Sequence, residues 1–196
     1  MLTVRGRKSS SNVQAVLWCI AELDIEHERI DAGFTYGVID TPEYPAMNPN
    51  GTVPTVRDGG PALWESGAIL RYLASSYGTE TFWSRAPRER AQVDKWAEWS
   101  KVNVAASFTE PVFWRVLRTP AARRDPIAIR AAVLDCERAL EIADARLARS
   151  DCLAGDDLTL ADIQLGHLRR YHDMLTERPS YRSTVMVPYA ELVDSM

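Results

Sequence analysis

The sequence predicts a mixed α/β domain followed by an all-helical domain. Two observations support this prediction. Short strand and helix signals alternate through residues 1–78, whereas only helical periodicity is found from residue 87 onward. Residues 79–87 are polar and have no sustained period, so we place the domain boundary in this segment. The predicted domains therefore span residues 1–78 and residues 87–196.

The first domain begins with a strand, a helix and a second strand. Residues 2–4 have a strand pattern, and apolar residues then recur at helical spacing over residues 13–23. Residues 28–30 form the second strand pattern. Residues 32–50 follow with three prolines, two glycines and no sustained period, which is typical of a loop.

Two further strands and a helix complete the first domain. Residues 54–57 and 62–64 are short strand patterns, and the Asp58-Gly59-Gly60 sequence between them is a hairpin signal. Ser66 can cap a helix that ends at Gly78. This order predicts a four-stranded mixed sheet with helices packed on it, which is the thioredoxin-like order of elements.

Three helices are predicted in the second domain. The first runs from residue 87 toward residue 118, where Thr119-Pro120 interrupts it. The second spans residues 125–148 and carries its apolar residues on one stripe. The third begins at Thr159, whose side chain can cap the helix while Asp162 returns the bond three residues later.

Composition narrows the classes of function. The chain has 196 residues, of which 46% are hydrophobic and 26% charged, and it has no apolar run long enough to span a bilayer. A net charge of −4 favours neither nucleic acid nor an anionic membrane as partner. The first residues lack a signal-peptide pattern, and the three cysteines lie far apart. We therefore expect a cytoplasmic protein with reduced thiols and no metal site.

Three motifs in the right order carry a family resemblance. They are NPNGTVP at residues 48–54, ESGAI at residues 65–69 and LTLADI at residues 158–163. Together they resemble the signature of cytosolic glutathione S-transferases, and the bacterial, theta-like, serine-type branch in particular. The resemblance covers nearly the whole chain. It implies a thioredoxin-like glutathione-binding domain in front of a C-terminal helical-bundle domain, with glutathione as co-substrate.

The resemblance also implies which residues hold glutathione. A cis peptide bond before Pro54 would turn the Val53 amide and carbonyl toward the ligand, so that the cysteinyl backbone of glutathione docks as an added strand. Glu65 and Ser66 begin a helix, whose unpaired amides and positive dipole end favour the γ-glutamyl carboxylate. The alternative is that Glu65 and Ser66 form an ordinary capping pair.

In this family the residue that stabilises the thiolate lies between the first strand and the first helix, where this chain reads GRKSSSNV at residues 6–13. A serine hydroxyl that donates to the sulfur would lower the thiol pKa from about 8.5 toward neutrality. We rank Ser10 first, then Ser9 and Ser11, with an amide N–H of Asn12 beside them. Arg7 or Lys8 would supply positive charge. The alternative is that these serines only cap the helix.

The electrophile site of the family is lined by the first helix of its second domain. In this chain the corresponding side chains are Phe108, Phe113, Trp114 and Arg118. A cation at Arg118 would favour an anionic electrophile such as a halo-acid. Alternatively, Arg118 neutralises the C-terminus of its helix.

One departure from the family follows residue 166. Where the family has a long apolar helix, a loop ending in proline and another helix, this chain passes almost directly to the closing ERP sequence at residues 177–179. We therefore expect a helical domain that is shortened after residue 166.

The function implied by the resemblance is conjugation, in which the glutathione thiolate attacks a small electrophilic carbon and displaces a leaving group, as in detoxification. Two alternatives stay open. Glutathione-dependent thiol exchange or peroxide reduction is disfavoured because the loop has no cysteine, and Cys19 lies too far into the helix. A non-catalytic binding protein would fit the shortened helical domain. The family also implies a homodimer, with neither nucleic acid nor membrane as partner.

Overall fold

The computed structural model describes residues 1–166, and these residues fall into two compact units. One unit comprises residues 1–79 and the other begins at Glu80. The expected shortening of the helical domain after residue 166 lies outside the described residues.

The first unit is built on a four-stranded mixed sheet with the strand order β2-β1-β3-β4. Its strands are β1 (Leu2–Arg5), β2 (His27–Ile30), β3 (Thr55–Arg57) and β4 (Leu63–Trp64). β1 pairs in parallel with β2 and antiparallel with β3, which in turn pairs antiparallel with β4. The predicted mixed sheet is confirmed, with β1 and β3 at its centre.

Three helices belong to this unit. They are α1 (Ser11–Glu22), the single turn α2 (Tyr44–Met47) and α3 (Ser66–Tyr77). α1 and α3 contact each other, and their apolar residues at three- and four-residue spacing are buried. The fully buried side chains include Val16 and Ile20 of α1 and Ile69, Leu70 and Leu73 of α3. The ends of both helices are therefore held in place by one packed core.

The second unit opens with a long helix whose hydrogen-bond pattern changes along its length. α4 (Pro87–Trp99) continues through α5 (Ala106–Phe108) and α6 (Arg115–Leu117), with π-helical stretches at Ser100–Ala105 and Thr109–Trp114.

The sequence predicted a plain α-helix here, and that prediction missed Pro111, which lies inside the second π-helical stretch. Proline has no amide hydrogen to donate, so the regular ladder is interrupted at this residue. In the first π-helical stretch, the Ser100 hydroxyl donates to the Trp96 carbonyl at 2.7 Å and competes with the backbone for that acceptor.

Two further helices, α7 (Pro126–Leu147) and α8 (Leu160–Leu165), begin at side chains that cap them. Asp125 accepts from the amides of Ile127 and Ala128 at 2.9 and 3.1 Å. The predicted capping box at the start of α8 is present, between Thr159 and Asp162. Within residues 1–166, no helix is long and apolar enough to cross a membrane.

Candidate functional site

A buried hydrogen-bond network holds the NPNGTVP segment in place. The Tyr44 hydroxyl donates to the Thr52 carbonyl at 2.8 Å and lies 2.8 Å from the Thr55 hydroxyl. The side-chain amide of Asn48 donates to the same carbonyl at 2.8 Å, and its oxygen accepts from the Asn50 amide at 3.0 Å. Burial raises the pKa of Tyr44, which further favours the protonated phenol that donates to Thr52. The carbonyl that precedes Val53 is therefore fixed by two donors.

The Val53-Pro54 peptide bond is cis, as predicted. Two glycines allow the backbone to approach Val53 closely. A Cβ atom at Gly6 would lie 3.4 Å from the Cβ atom of Val53 and only 2.4 Å from a methyl group of Val13. A Cβ atom at Gly33, where φ is +83°, would lie 3.4 Å from a Val53 methyl group. The loops that follow β1 and β2 therefore both pass close to Val53.

The three loop serines have different environments. Ser10 is the N-cap residue of α1, with extended backbone angles, and it is buried. Ser9 is also buried, and its hydroxyl has no hydrogen-bond partner among the described residues. Ser11, the first residue of the helix, is exposed. Within residues 1–166, no side chain caps the first amides of α1, and two buried serines directly precede the helix.

The two basic residues of the loop also differ. Arg7 places its guanidinium group over the ring of Phe34, 5.1 Å from the ring centre. Phe34 belongs to the loop after β2 and has a φ of +59°. Lys8 is exposed, and its carbonyl accepts from the Gln14 side chain at 2.9 Å. Of the two predicted cations, Arg7 is therefore the one that packs on the loop after β2, which passes close to Val53.

The start of α3 is strained and lacks a side-chain cap. Glu65, its N-cap residue, is exposed and has a φ of +66°, a conformation that costs about 1–3 kcal/mol for a residue with a side chain. Its own side chain does not cap the helix, and the predicted cap at Ser66 is wrong, because Ser66 is the first residue of the helix. Ser66 is 2% exposed, and its hydroxyl donates to the side-chain oxygen of Asn12 at 3.1 Å. Asn12 is the second residue of α1, so this bond joins the starts of the two helices.

The four predicted electrophile residues lie on or beside the second π-helical stretch of the second unit. The rings of Phe108 and Phe113 are 6.1 Å apart and tilted. The guanidinium group of Arg118 lies over the Trp114 ring, 4.8 Å from its centre. Phe108 and Trp114 are partly exposed, so each pair presents one aromatic ring to solvent.

Reasoning from sequence did not identify the residues that support this site. Tyr44 and Thr55 lie eleven residues apart and meet only in the folded chain. Gly6 directly follows β1 and Gly33 lies three residues after β2, and a glycine close to the end of a strand can mark a close approach of the backbone. Neither glycine was singled out.

Cys19 lies where its thiolate is disfavoured. It is fully buried in α1, and burial raises its pKa, to which the nearby Glu22 adds. Within the described part of the chain, no group of three or more His, Cys, Asp or Glu side chains is arranged to hold a metal ion.

Comparisons with known proteins identify the family of this chain. The family model described as glutathione S-transferase, N-terminal domain, matches residues 9–76, and the model described as glutathione S-transferase, C-terminal domain, matches residues 108–189. Glutathione S-transferase GstB of Escherichia coli is 35% identical over 96% of this chain and 99% of its own length. That alignment runs over 207 residues, so this chain of 196 residues lacks residues that GstB has.

Solved structures extend the likeness. A theta class glutathione S-transferase from Xanthomonas axonopodis pv. citri, with glutathione bound, has a TM-score of 0.87 and 40% identity, covering 95% of this chain and 98% of that one. Glutathione S-transferase I from maize, in complex with an atrazine glutathione conjugate, has a TM-score of 0.82 and 26% identity, covering 98% of both chains. This chain belongs to the glutathione S-transferase family.

Proposed function

We propose that this chain is an enzyme that conjugates glutathione to small electrophilic substrates. The observation that carries the proposal is the bond between Ser66 and Asn12, which joins two helix starts that have no side-chain cap among the described residues. A helix start with free amides attracts anions. Of the anionic groups of glutathione, the γ-glutamyl carboxylate and the thiolate are the two that we place at these helix starts.

Glutathione is proposed to bind along the first unit. Its cysteinyl backbone pairs with the amide and carbonyl of Val53, which the cis bond before Pro54 presents. Its γ-glutamyl end lies at the start of α3, held by Glu65 and Ser66, and the Ser66 hydroxyl is the side-chain donor to its carboxylate. Arg7, which is held over Phe34, adds positive charge beside Val53. Support comes from the Xanthomonas relative, whose structure contains glutathione.

The thiolate is proposed to lie at the start of α1. The hydroxyl of Ser10 donates to the sulfur, with Ser9 and Ser11 as the neighbouring alternatives and the backbone amide of Asn12 as a further donor. These donors favour the charged form and lower the thiol pKa. The thiolate then attacks the electrophilic carbon, a carbon–sulfur bond forms, and the leaving group departs with the electron pair of the broken bond.

The electrophile is proposed to contact Phe113, Trp114 and Arg118. The aromatic rings supply apolar surface for a small organic molecule, and the guanidinium group supplies a positive charge. A carboxylate-bearing electrophile such as a halo-acid fits this combination. The maize relative, which is solved with a glutathione conjugate, supports a conjugation reaction.

We also propose that the protein is a cytoplasmic homodimer. The support for the dimer is the resemblance to the family, and exposed apolar side chains of the described residues, such as Val102 at 58% and Ile142 at 51%, would gain from burial in an interface. Light scattering of the purified chain at micromolar concentration measures the mass. A monomer mass would contradict the dimer.

A calorimetric titration with S-methylglutathione, followed by assays with halogenated and unsaturated acceptors, tests the function. We expect saturable binding, loss of free glutathione thiol and, with halogenated acceptors, halide release. Binding without conjugation of any acceptor would point to a binding protein. Reduction of disulfides or peroxides without conjugation would point to thiol exchange.

A further inference from the structure

The bond between Asn12 and Ser66 connects two parts of the proposed glutathione site. The residues are 54 positions apart, and the Ser66 hydroxyl donates to the Asn12 oxygen at 3.1 Å. Ser66 is almost fully buried at the first position of α3, whereas Asn12 is exposed at the second position of α1. The buried partner therefore has few other acceptors, and the exposed partner has room to turn.

The direction of this bond conflicts with the role proposed for Ser66. A serine hydroxyl has a single proton, so Ser66 cannot donate to a carboxylate while it donates to Asn12. The side-chain amide of Asn12 carries an acceptor on one side and donors on the other. A half-turn about its last side-chain bond exchanges the two sides without moving either helix.

We propose that Asn12 is a positioning residue that sets the direction of the Ser66 hydroxyl. Without ligand, Ser66 donates to the Asn12 oxygen. When a γ-glutamyl carboxylate binds at the start of α3, the Asn12 side-chain amide turns and its nitrogen donates to the Ser66 oxygen. The Ser66 hydroxyl then donates its hydrogen bond to the carboxylate. This inference rests on the proposed function. It assigns the Asn12 side chain to Ser66 and leaves the Asn12 backbone amide to the thiolate.

The test compares Asn12→Asp with Asn12→Ala by calorimetric titration with S-methylglutathione. Aspartate has nearly the same shape as asparagine but can only accept, so the Ser66 hydroxyl goes on donating to residue 12. This variant should weaken binding of S-methylglutathione about tenfold or more. Alanine removes the acceptor, so the Ser66 hydroxyl can donate to the ligand carboxylate, and this variant should weaken binding less. A bond that only ties the two helices together predicts the opposite order, because aspartate preserves the acceptor, and that order would overturn the proposal.

Charge repulsion by the new aspartate is separated by repeating the substitution in a Ser66→Ala background. Without the hydroxyl there is no proton to withhold, so adding Asn12→Asp should change affinity much less than it does in the wild type. An equal loss of affinity in both backgrounds would show that charge alone weakens binding, and would overturn the proposed role of Asn12. Thermal melts of all variants establish that they are folded.

A second measurement uses the wild-type chain and does not depend on the stability of the variants. The side-chain amide signals of Asn12 in a nitrogen-15 spectrum, assigned with Asn12→Ala, should move when S-methylglutathione saturates the protein. Signals that stay in place at saturation would overturn the proposal. Failure of the wild type to bind S-methylglutathione at all would overturn both the proposed function and the proposed role of Asn12. Binding with unmoved Asn12 signals would overturn only the proposed role of Asn12.

Discussion

Helices of the two units begin in different ways. α7 and α8 of the second unit are closed by Asp125 and by the capping box of Thr159 and Asp162. α1 and α3 of the first unit have no side-chain cap among the described residues, and no acidic residue lies in the first turn of either helix. α4 of the second unit also has no side-chain cap among these residues, but Glu89 lies in its first turn. A cap contributes typically about 1 kcal/mol, so α1 and α3 forgo stability that α7 and α8 have. The uncapped first amides of α1 and α3 are the groups that the proposed anionic ligand would use.

The strongest test of this contrast is Asp162→Ala in the second unit. Asp162 is fully buried and accepts from the Leu153 amide at 2.8 Å and from the Thr159 amide at 2.7 Å. Removing it leaves buried donors without partners, so we expect a loss of about 3 kcal/mol or more in the free energy of unfolding. Urea denaturation measures this loss.

The matched control is Asp125→Ala, which removes an exposed cap and should cost about 1 kcal/mol. Equal losses in both variants would mean that burial of Asp162 contributes nothing beyond capping.

Ser10→Ala, in contrast to the two aspartate variants, should lower activity and leave stability nearly unchanged. Because the Ser10 side chain does not cap α1, the free energy of unfolding should stay nearly constant. Conjugation at neutral pH should fall about tenfold to a thousandfold, with a raised pKa of the bound thiol and little change in glutathione affinity. The pH dependence of conjugation measures this, with Ser9→Ala and Ser11→Ala in parallel.

Each outcome of that series is informative. A pKa shift in Ser9→Ala or Ser11→Ala alone moves the assignment by one residue. If no serine variant shifts the pKa, the serine-type assignment fails and the thiolate must be held by amides and by Arg7.

Glu65→Gly and Glu65→Ala should separate strain from function. Glycine adopts positive φ freely, so Glu65→Gly should raise the free energy of unfolding by about 1 kcal/mol. Both variants, like Ser66→Ala, should weaken glutathione binding about tenfold. Calorimetry and urea denaturation measure the two quantities.

Val38→Gly is the control, because Val38 also has a positive φ, of +67°, but has no role in the proposed site. It should stabilise the chain without changing affinity. Unchanged affinity in Glu65→Ala and in Ser66→Ala would remove both residues from the site.

The smallest effect is expected for Arg118→Ala, assayed with iodoacetate and iodoacetamide. The two acceptors have the same leaving group and similar size, but only iodoacetate is an anion. An exposed cation contributes modestly, so kcat/KM for iodoacetate should fall about fivefold to tenfold more than kcat/KM for iodoacetamide. An equal fall for both acceptors would show that Arg118 acts only by packing against Trp114.

Sequence predicted the elements that depend on local signals. The four strands, α1, α3 and the capping box of α8 follow from spacing, turn residues and caps within a few positions. α2 was missed because Tyr44–Met47 is a single turn, too short to show a period. The π-helical turns were missed because Pro111 lies inside a pattern that otherwise continues as a helix.

For the site, sequence identified segments better than atoms. Adjacent serines share one chemistry, so only the folded chain distinguishes the buried Ser9 and Ser10 from the exposed Ser11. The hydrogen bond between Asn12 and Ser66 joins segments far apart in sequence, and no local pattern encodes it. The roles of these residues stay predictions that the variants above test.

The π-helical stretch at Thr109–Trp114 has a consequence for how the length of this helix can change in evolution. A π-helical turn holds about one residue more than an α-helical turn, so deleting a single residue there would shorten the turn without changing the number of turns. The residues after the deletion would keep nearly the same direction around the helix axis, whereas a deletion within the regular part of α4 would rotate them by about 100°. In this stretch, the helix that carries the proposed acceptor residues can therefore gain or lose a residue while Arg118 keeps its direction.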